Sequence, residues 1–328
     1  FSAICFGFMM MSIIGMIAAS DTETKLKDNS VLTINLSGVI NEKASTDYLG
    51  FLSGDAVENS GLNDILMAIK KAKNNDEIKG IYIEAGPLGA GFSTLQEIRN
   101  ALADFKKSGK WIVAYGDTYS QGSYYVASVA NHIYLNPEGQ VDWHGLASQP
   151  YYIKDLAAKF GVKYQVAKVG TFKSATETYT ETKMSDANRL QVSLYLNGLW
   201  ANVCKAVSES RKISIPTLNT YADEYQLFAT PQSLIKKRLI DKLLYADQVK
   251  GEVKKLLGID ADESINQVGI SAMCNVVEDV NSDDGIIAIY YAEGEIVQMA
   301  PGGMLNNSTN IVSKNICRNL EDLKNDDD

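Results

Sequence analysis

The stretch GIYIEAGPLGAGFSTLQEIRNALADFKKSGKWIVAYGDTYSQGSYYVASVANHIYL, residues 80–135, decides the fold. Three short runs rich in β-branched and aromatic residues predict strands at residues 80–83, 111–115 and 133–135. Between them, apolar residues at helical spacing predict helices over residues 93–105 and 123–131. Strands joined through helices need crossover connections, so the pattern predicts an α/β fold with a mostly parallel, buried sheet. It excludes an all-β sandwich and a helical bundle.

The same alternation continues on both sides of this stretch. Upstream, residues 31–36 predict a strand, and one apolar stripe predicts a helix through Leu62, Ile65, Leu66, Ile69 and Ala72. Downstream, the pattern predicts a helix at residues 153–160, a strand at 163–169 and a long helix at 188–207 with Ser185 as its cap. Ser93 to Gln96 forms a capping-box pattern at the start of its helix.

Composition removes several classes of function. The 328 residues are 45% hydrophobic and 22% charged, which is typical of a globular protein. A protein that holds nucleic acid by its phosphates needs a basic face, and a net charge of -9 argues against one, so no nucleic-acid partner is expected. Four cysteines without a close pair exclude a disulfide framework or a CxxC zinc site, and only two histidines are present. We therefore expect no metal and no cofactor.

The amino-terminal residues form an uncharged, apolar run. Residues 1–19 are long enough, at about 1.5 Å per helical residue, to cross the hydrocarbon core of a membrane. A cleavable signal peptide is the alternative, although its apolar core is usually shorter and Ile17-Ala18-Ala19 is a poor cleavage site. We expect a single transmembrane anchor, with everything from Asp21 onward exported or tethered to the membrane.

An internal repeat indicates the domain organisation. Residues 31–40 and 287–296 both predict a strand with a glycine at the same place, and an amphipathic helix follows each after a variable loop. The polar stretch from Glu278 to Asp284 resembles a linker between the copies. The sequence thus predicts four parts: an anchor at residues 1–19, a first domain at 20–277, a linker at 278–284, and the truncated start of a second domain at 285–328.

Three further segments resemble one family. In order they are Tyr119-Ser120-Gln121-Gly122-Ser123-Tyr124-Tyr125 with the following Ala130 to Pro137, then Val141-Asp142-Trp143-His144-Gly145, and then Val169-Gly170-Thr171-Phe172-Lys173-Ser174-Ala175. Together they resemble the amino-terminal part of the signal peptide peptidase A (protease IV) family, in its long form with two tandem domains. The resemblance extends over essentially all of residues 20–328.

This resemblance implies both a fold and an activity. The family's fold is a Clp-protease/crotonase-like spiral of ββα units, here with the start of a second repeat of the same fold. Its members are serine peptidases of the inner (plasma) membrane that degrade signal peptides after secretion, with the catalytic part on the exported side. The family also implies ring-like homo-oligomers. Its catalytic pair is a serine and a lysine, and in the tandem form the lysine comes from the first domain and the serine from the second.

By motif, the catalytic lysine of the family corresponds to Lys173. A serine hydroxyl is a weak nucleophile that needs a neighbouring base, and lysine can be that base only in its neutral form. Burial and nearby cations favour the neutral form. Lys173 follows the predicted strand at residues 163–169 and stands beside Phe172, so we expect it to be partly buried. Ser174 is interpreted as a turn residue that helps to orient the lysine.

The nucleophile has no counterpart in this first copy. The resemblance aligns Gln121 with the serine of the second domain, and an amide cannot act as an acyl nucleophile. Ser120 and Ser123 are interpreted as structural, with Ser123 in the first turn of its helix. The expectation is therefore that this chain supplies the base, lacks the nucleophile, and does not hydrolyse peptides alone.

Three other features have structural interpretations. Gly86 to Gly91 is a glycine-rich loop without a phosphate-binding motif, Asp142 and His144 are expected to pack within a loop, and residues 236–238 form a solvated basic cluster. Two other functions stay open: a non-catalytic membrane scaffold of the same fold, and a crotonase-like acyl-CoA enzyme. The apolar amino terminus and the missing carboxylate in the glycine loop argue against the acyl-CoA enzyme.

Overall fold

A computed structural model describes residues 24–44, 61–277, 288–292, 294–299 and 310–325. The chain divides into two compact units, Phe1–Val277 and Glu278–Asp328. Within the described ranges, no helix is both long and apolar enough to cross a membrane. The predicted anchor at residues 1–19 and the predicted linker at residues 278–284 lie outside those ranges.

The first unit is built around a six-stranded sheet in the order β5-β4-β3-β2-β1-β6. All of its neighbouring strands pair in parallel. The strands are β1 (Ser30–Val39), β2 (Ile78–Gly89), β3 (Trp111–Tyr119), β4 (His132–Val141), β5 (Lys242–Leu243) and β6 (Asn266–Val268). The α/β class and the four strands predicted before residue 140 are confirmed, because successive strands are connected through helices.

Ten α-helices of the first unit fall within the described residues. They are α1 (Leu62–Asn74), α2 (Phe92–Phe105), α3 (Gln121–Ala127), α4 (Lys154–Lys159), α5 (Glu177–Thr180), α6 (Asp186–Arg211), α7 (Ile215–Asp223), α8 (Pro231–Lys236), α9 (Ala246–Leu257) and α10 (Ile270–Cys274). The long helix α6 begins as predicted, because the Ser185 hydroxyl accepts a hydrogen bond from the Asn188 backbone N–H at 3.2 Å.

Helices cover the sheet on both faces, as a parallel sheet requires. One face packs against α1, α2, α3 and the carboxyl-terminal part of α6, and the stripe predicted for α1 lies in this core. The other face packs against α9 through Val249, Val253 and Leu257. Trp143, just after β4, is fully buried, and its indole N–H donates to the Leu218 carbonyl at 2.9 Å. This packing fixes the carboxyl ends of β3 and β4.

Three local predictions are wrong. Residues 163–169 form no strand and are exposed, and no strand among the described residues pairs with them. The predicted loop at Gly86–Gly91 is mostly strand, since β2 continues to Gly89 by pairing with the end of β1. The capping box at Ser93 does not form: α2 already begins at Phe92, after Gly91, and no side chain caps it.

The second unit contains a short parallel pair, β7 (Glu295–Val297) with β8 (Asn310–Val312), followed by helix α11 (Ser313–Lys324). The strand predicted at residues 287–296 is not formed by residues 288–292, which stay exposed. Ile289 is 70% exposed, and within the described residues no strand hydrogen-bonds to this apolar run. The repeat itself stays a prediction.

One close approach between β2 and β3 gives a test of the sheet. A Cβ atom added at Gly116 would lie 2.6 Å from the Ala85 carbonyl oxygen, whereas one added at Gly198 in α6 meets nothing within 4 Å. We expect Gly116→Ala to lower the free energy of unfolding by about 1–3 kcal/mol. Gly198→Ala, the matched control, should raise it by about 0.5–1 kcal/mol because alanine favours helix. Urea denaturation measures both, and equal stability of the two variants would contradict this close packing.

Candidate active site

The turn between β3 and α3 lies at the carboxyl edge of the sheet, where parallel α/β proteins place their ligands. Ser120 is the N-cap of α3, and its hydroxyl accepts hydrogen bonds from the backbone N–H groups of Ser123 at 3.2 Å and Leu88 at 3.3 Å. Ser123 lies in the first helical turn, as predicted, and is fully buried. Its hydroxyl oxygen is 3.1 Å from that of Ser120. Both serines are thus engaged within the turn.

Gln121 holds this turn to the segment that follows β4. Its side-chain oxygen accepts hydrogen bonds from two successive backbone N–H groups, His144 at 3.0 Å and Gly145 at 2.9 Å. Its side-chain N–H donates back to the Gly145 carbonyl at 3.0 Å. The residue is 8% exposed, so these bonds are shielded from water. A buried amide that makes three hydrogen bonds therefore occupies the position that resembles a nucleophile site.

Asp142 and His144 form a close pair on the same segment. The His144 Nδ1 atom lies 2.6 Å from a carboxylate oxygen of Asp142, and the imidazole ring packs on the edge of Tyr225 at 5.6 Å between ring centres. Neither serine of the turn is a hydrogen-bond partner of this pair among the residues described. Loop packing is the role that these contacts support.

Lys173 lies on the surface, in a long segment between α4 and α5. It contributes to an open depression of about 580 Å³, lined by residues 167–169 and 172–176. In the described part of the chain it has no hydrogen-bond or salt-bridge partner. The expected burial is wrong: Phe172 is 54% exposed and Val169 is 89% exposed. Residues 163–169 do not form the predicted strand, and neither sheet in the described part of the chain includes this segment.

The part of the chain that contains Lys173 exposes many large apolar side chains. Large apolar side chains are exposed along residues 151–195: Tyr151, Leu156, Phe160, Val162, Tyr164, Val166, Val169, Phe172, Tyr179, Leu190, Leu194 and Tyr195. Near the depression, the Thr176 hydroxyl is buried without a hydrogen-bond partner in the described ranges. Exposed apolar side chains in such number are typical of surfaces that other polypeptide covers.

Two residues have roles that sequence analysis did not identify. Glu177, four positions after Lys173, is 4% exposed, and no sequence signal distinguished it from a surface carboxylate. Lys237, interpreted as part of a solvated cluster, donates to Glu224 at 2.5 Å and to the Gln226 side-chain oxygen at 2.6 Å. Within the described ranges no group of three or more His, Cys, Asp or Glu side chains could hold a metal ion.

Comparison with known proteins identifies the family. The model of Peptidase family S49 matches residues 104–260, which include both the β3–α3 turn and Lys173. A relative named Protease 4, from Salmonella typhi, is 35% identical over 295 residues, or 85% of this chain. The chain belongs to peptidase family S49.

Other relatives from bacteria and plants also match this chain. Protease 4 of Haemophilus influenzae is 32% identical over 80% of this chain, and the chloroplastic serine protease SPPA of Arabidopsis thaliana is 26% identical over 74%. The chain covers 48% of the Salmonella protein, 46% of the Haemophilus protein and 35% of the Arabidopsis protein. It therefore spans about half the length, or less, of these relatives.

Proposed function

We propose that this chain is the part of a Ser/Lys-dyad serine peptidase that contributes the general base, Lys173. The nucleophilic serine then comes from a second domain of the same fold. One observation carries the proposal: Lys173 has no partner within the described residues and lies in an open depression, while Gln121 fills the serine-like position of this domain. The half-length match to the Protease 4 relatives supports a second domain.

The proposed chemistry follows from the needs of an acyl transfer. The neutral amine of Lys173 takes the proton of the serine hydroxyl as the oxygen attacks the peptide carbonyl, and the proton then passes to the leaving amine. In the second half of the reaction, the same amine activates the water that hydrolyses the acyl-enzyme.

The architecture that we propose is the Clp-protease/crotonase-like spiral. The successive β–α–β connections from β1 to β4 in a parallel sheet support it. We assign the first domain to residues 20–277, the linker to 278–284 and the start of a second repeat to 285–328. A strand pair followed by α11 in residues 295–324 is compatible with such a start.

The proposed substrates are signal peptides left after secretion, and the proposed location is the exported side of the inner membrane. Residues 1–19 would be the anchor. The exposed apolar side chains along residues 151–195 support a surface that accepts extended apolar peptides, neighbouring subunits, or both. A homo-oligomer would enclose such sites.

The role of the two serines in the turn gives a direct test. In the full-length protein, we expect Ser120→Ala and Ser123→Ala each to keep kcat for an apolar fluorogenic peptide within a few-fold of the parent. Ser120→Ala should cost about 1 kcal/mol of stability, because the N-cap of α3 is lost. Loss of hydrolysis by either variant, with the fold retained by circular dichroism, would place the nucleophile in this domain and contradict the proposal.

A further inference from the structure

The segment that carries Lys173 is open to solvent. Residues 161–173 are all exposed, and Gly170 adopts a left-handed conformation with φ at 101°. A general base must nevertheless stay within hydrogen-bond reach of the proton that it takes. Some contact near Lys173 must therefore fix the backbone on which it stands.

The first firmly anchored side chain after Lys173 is Glu177. Its backbone N–H donates to the Ser174 carbonyl at 2.9 Å, which closes a turn directly after the lysine. Its carboxylate accepts hydrogen bonds from the Ser185 hydroxyl at 2.6 Å, the Ser185 backbone N–H at 3.3 Å and the Asn188 side-chain amide at 3.0 Å. The residue is 4% exposed, so water competes little for these bonds.

These donors belong to the amino-terminal end of α6, which favours a negative charge. Burial raises the pKa of Glu177, but the hydrogen bonds from Ser185 and Asn188 outweigh it and hold the pKa below its ordinary value. The carboxylate is therefore ionised at neutral pH, and its hydrogen bonds are charge-assisted.

Helix α6 is in turn fixed to the core at its other end. Val203, Cys204 and Val207 are buried, and the Arg99 guanidinium of α2 donates to the Ala206 carbonyl at 2.8 Å. A continuous set of contacts therefore leads from the core through α6 and Glu177 to the turn at Ser174, next to Lys173.

We infer that Glu177 is a positioning residue for Lys173, and that it acts through the contacts with Ser185 and Asn188. We call the three residues the Glu177 clasp. This inference rests on the proposed function, since it assumes that Lys173 is the base. Glu177 touches neither substrate nor reacting atoms; its role is to keep the lysine backbone at a fixed place against the helix.

The test uses the full-length protein with an apolar fluorogenic peptide. Glu177→Gln keeps the shape of the side chain but places an amide N–H against the donors of Ser185 and Asn188. We therefore expect kcat to fall by about 10- to 100-fold, while KM stays within about twofold of the parent value. The double variant Glu177→Gln/Asn188→Asp exchanges donor and acceptor in the bond to residue 188 only, because the Ser185 N–H shares the same carboxylate oxygen, and it should recover part of that loss. A kcat within twofold of the parent, or no recovery in the double variant, would overturn the inference.

Two controls separate positioning from general stability. Ser214→Ala removes the N-cap of α7, where the Ser214 hydroxyl accepts a hydrogen bond from the Thr217 backbone N–H at 3.2 Å. It should lower the free energy of unfolding by about 1 kcal/mol and leave kcat unchanged. Should Glu177→Gln fail to fold, Asn188→Ala leaves the charge and Ser185 in place and should lower kcat several-fold at constant KM. An unchanged kcat in that variant overturns the inference as well.

Failure of this inference can be told from failure of the proposed function. If Lys173→Ala retains hydrolysis, Lys173 is not the base and the proposed function is wrong. If Lys173→Ala is inactive while Glu177→Gln keeps full kcat, only the role of Glu177 is wrong.

Discussion

Lys173→Ala is expected to lower kcat of the full-length protein for an apolar peptide by about 100- to 10,000-fold, the usual contribution of a general base. The lysine has no hydrogen-bond or salt-bridge partner within the described residues and is exposed, so its removal breaks no hydrogen bond or salt bridge there. Circular dichroism and the thermal midpoint should therefore stay unchanged. Steady-state kinetics measures the loss.

A nearby lysine provides the control for charge. Lys163 stands in the same exposed segment but does not line the depression. Lys163→Ala removes the same positive charge and should leave kcat within about twofold, because it takes no part in proton transfer. Equal losses in the two variants would indicate that general electrostatics, and not a specific base, accounts for the effect. Full activity of Lys173→Ala would show that the base lies elsewhere.

Gln121→Ala is expected to give the largest loss of stability among single truncations at the β3–α3 turn. It leaves the N–H groups of His144 and Gly145 and the Gly145 carbonyl without their partner. Because three hydrogen bonds in a shielded position are lost, the free energy of unfolding should fall by about 3 kcal/mol. Amide hydrogen exchange of a peptide that spans residues 142–146 measures the local loss, and thermal unfolding measures the global one.

Two comparisons test the reason for this loss. Gln121→Glu keeps an oxygen acceptor for the two N–H groups but loses the donor to Gly145. Its amide groups at residues 142–146 should therefore lose less protection against hydrogen exchange than those of the alanine variant. Gln96→Ala makes the same truncation at an exposed position of α2 and should be neutral or slightly stabilising. If Gln121→Ala leaves the hydrogen-exchange rates at residues 142–146 unchanged, the hydrogen bonds of Gln121 with His144 and Gly145 are contradicted.

Local patterns predicted the fold class and most element positions correctly. The apolar stripe of α1 and the runs in β1 to β4 are strong because each is set by burial within one element. Residues 163–169 show the limit of this reasoning. A strand requires a neighbour that satisfies its backbone groups, and the sequence of one segment does not say whether that neighbour exists. At residues 86–89, pairing with β1 overrides the turn signal of Gly86 and Pro87.

The candidate site was less accessible to sequence reasoning than the fold. Resemblance to a family, and not spacing or periodicity, singled out Lys173 and the amide at position 121. Physical reasoning then predicted burial of Lys173, which is wrong because it depended on the strand that does not form. Glu177 could not be distinguished at all, since its importance lies in donors at Ser185 and Asn188 that only folding brings to it.

By itself, the sequence determined the α/β class and the order of the main elements. It also showed that, of the two positions that resemble a catalytic pair, one holds a lysine and the other holds no serine. Only the tertiary structure decided that Gln121 is bound to the segment after β4, that Lys173 is open to solvent on an apolar surface, and that Glu177 is buried at the start of α6. The physical reason is that hydrophobic periodicity is a property of one element. Hydrogen-bond partners and exposure depend instead on which elements meet in space.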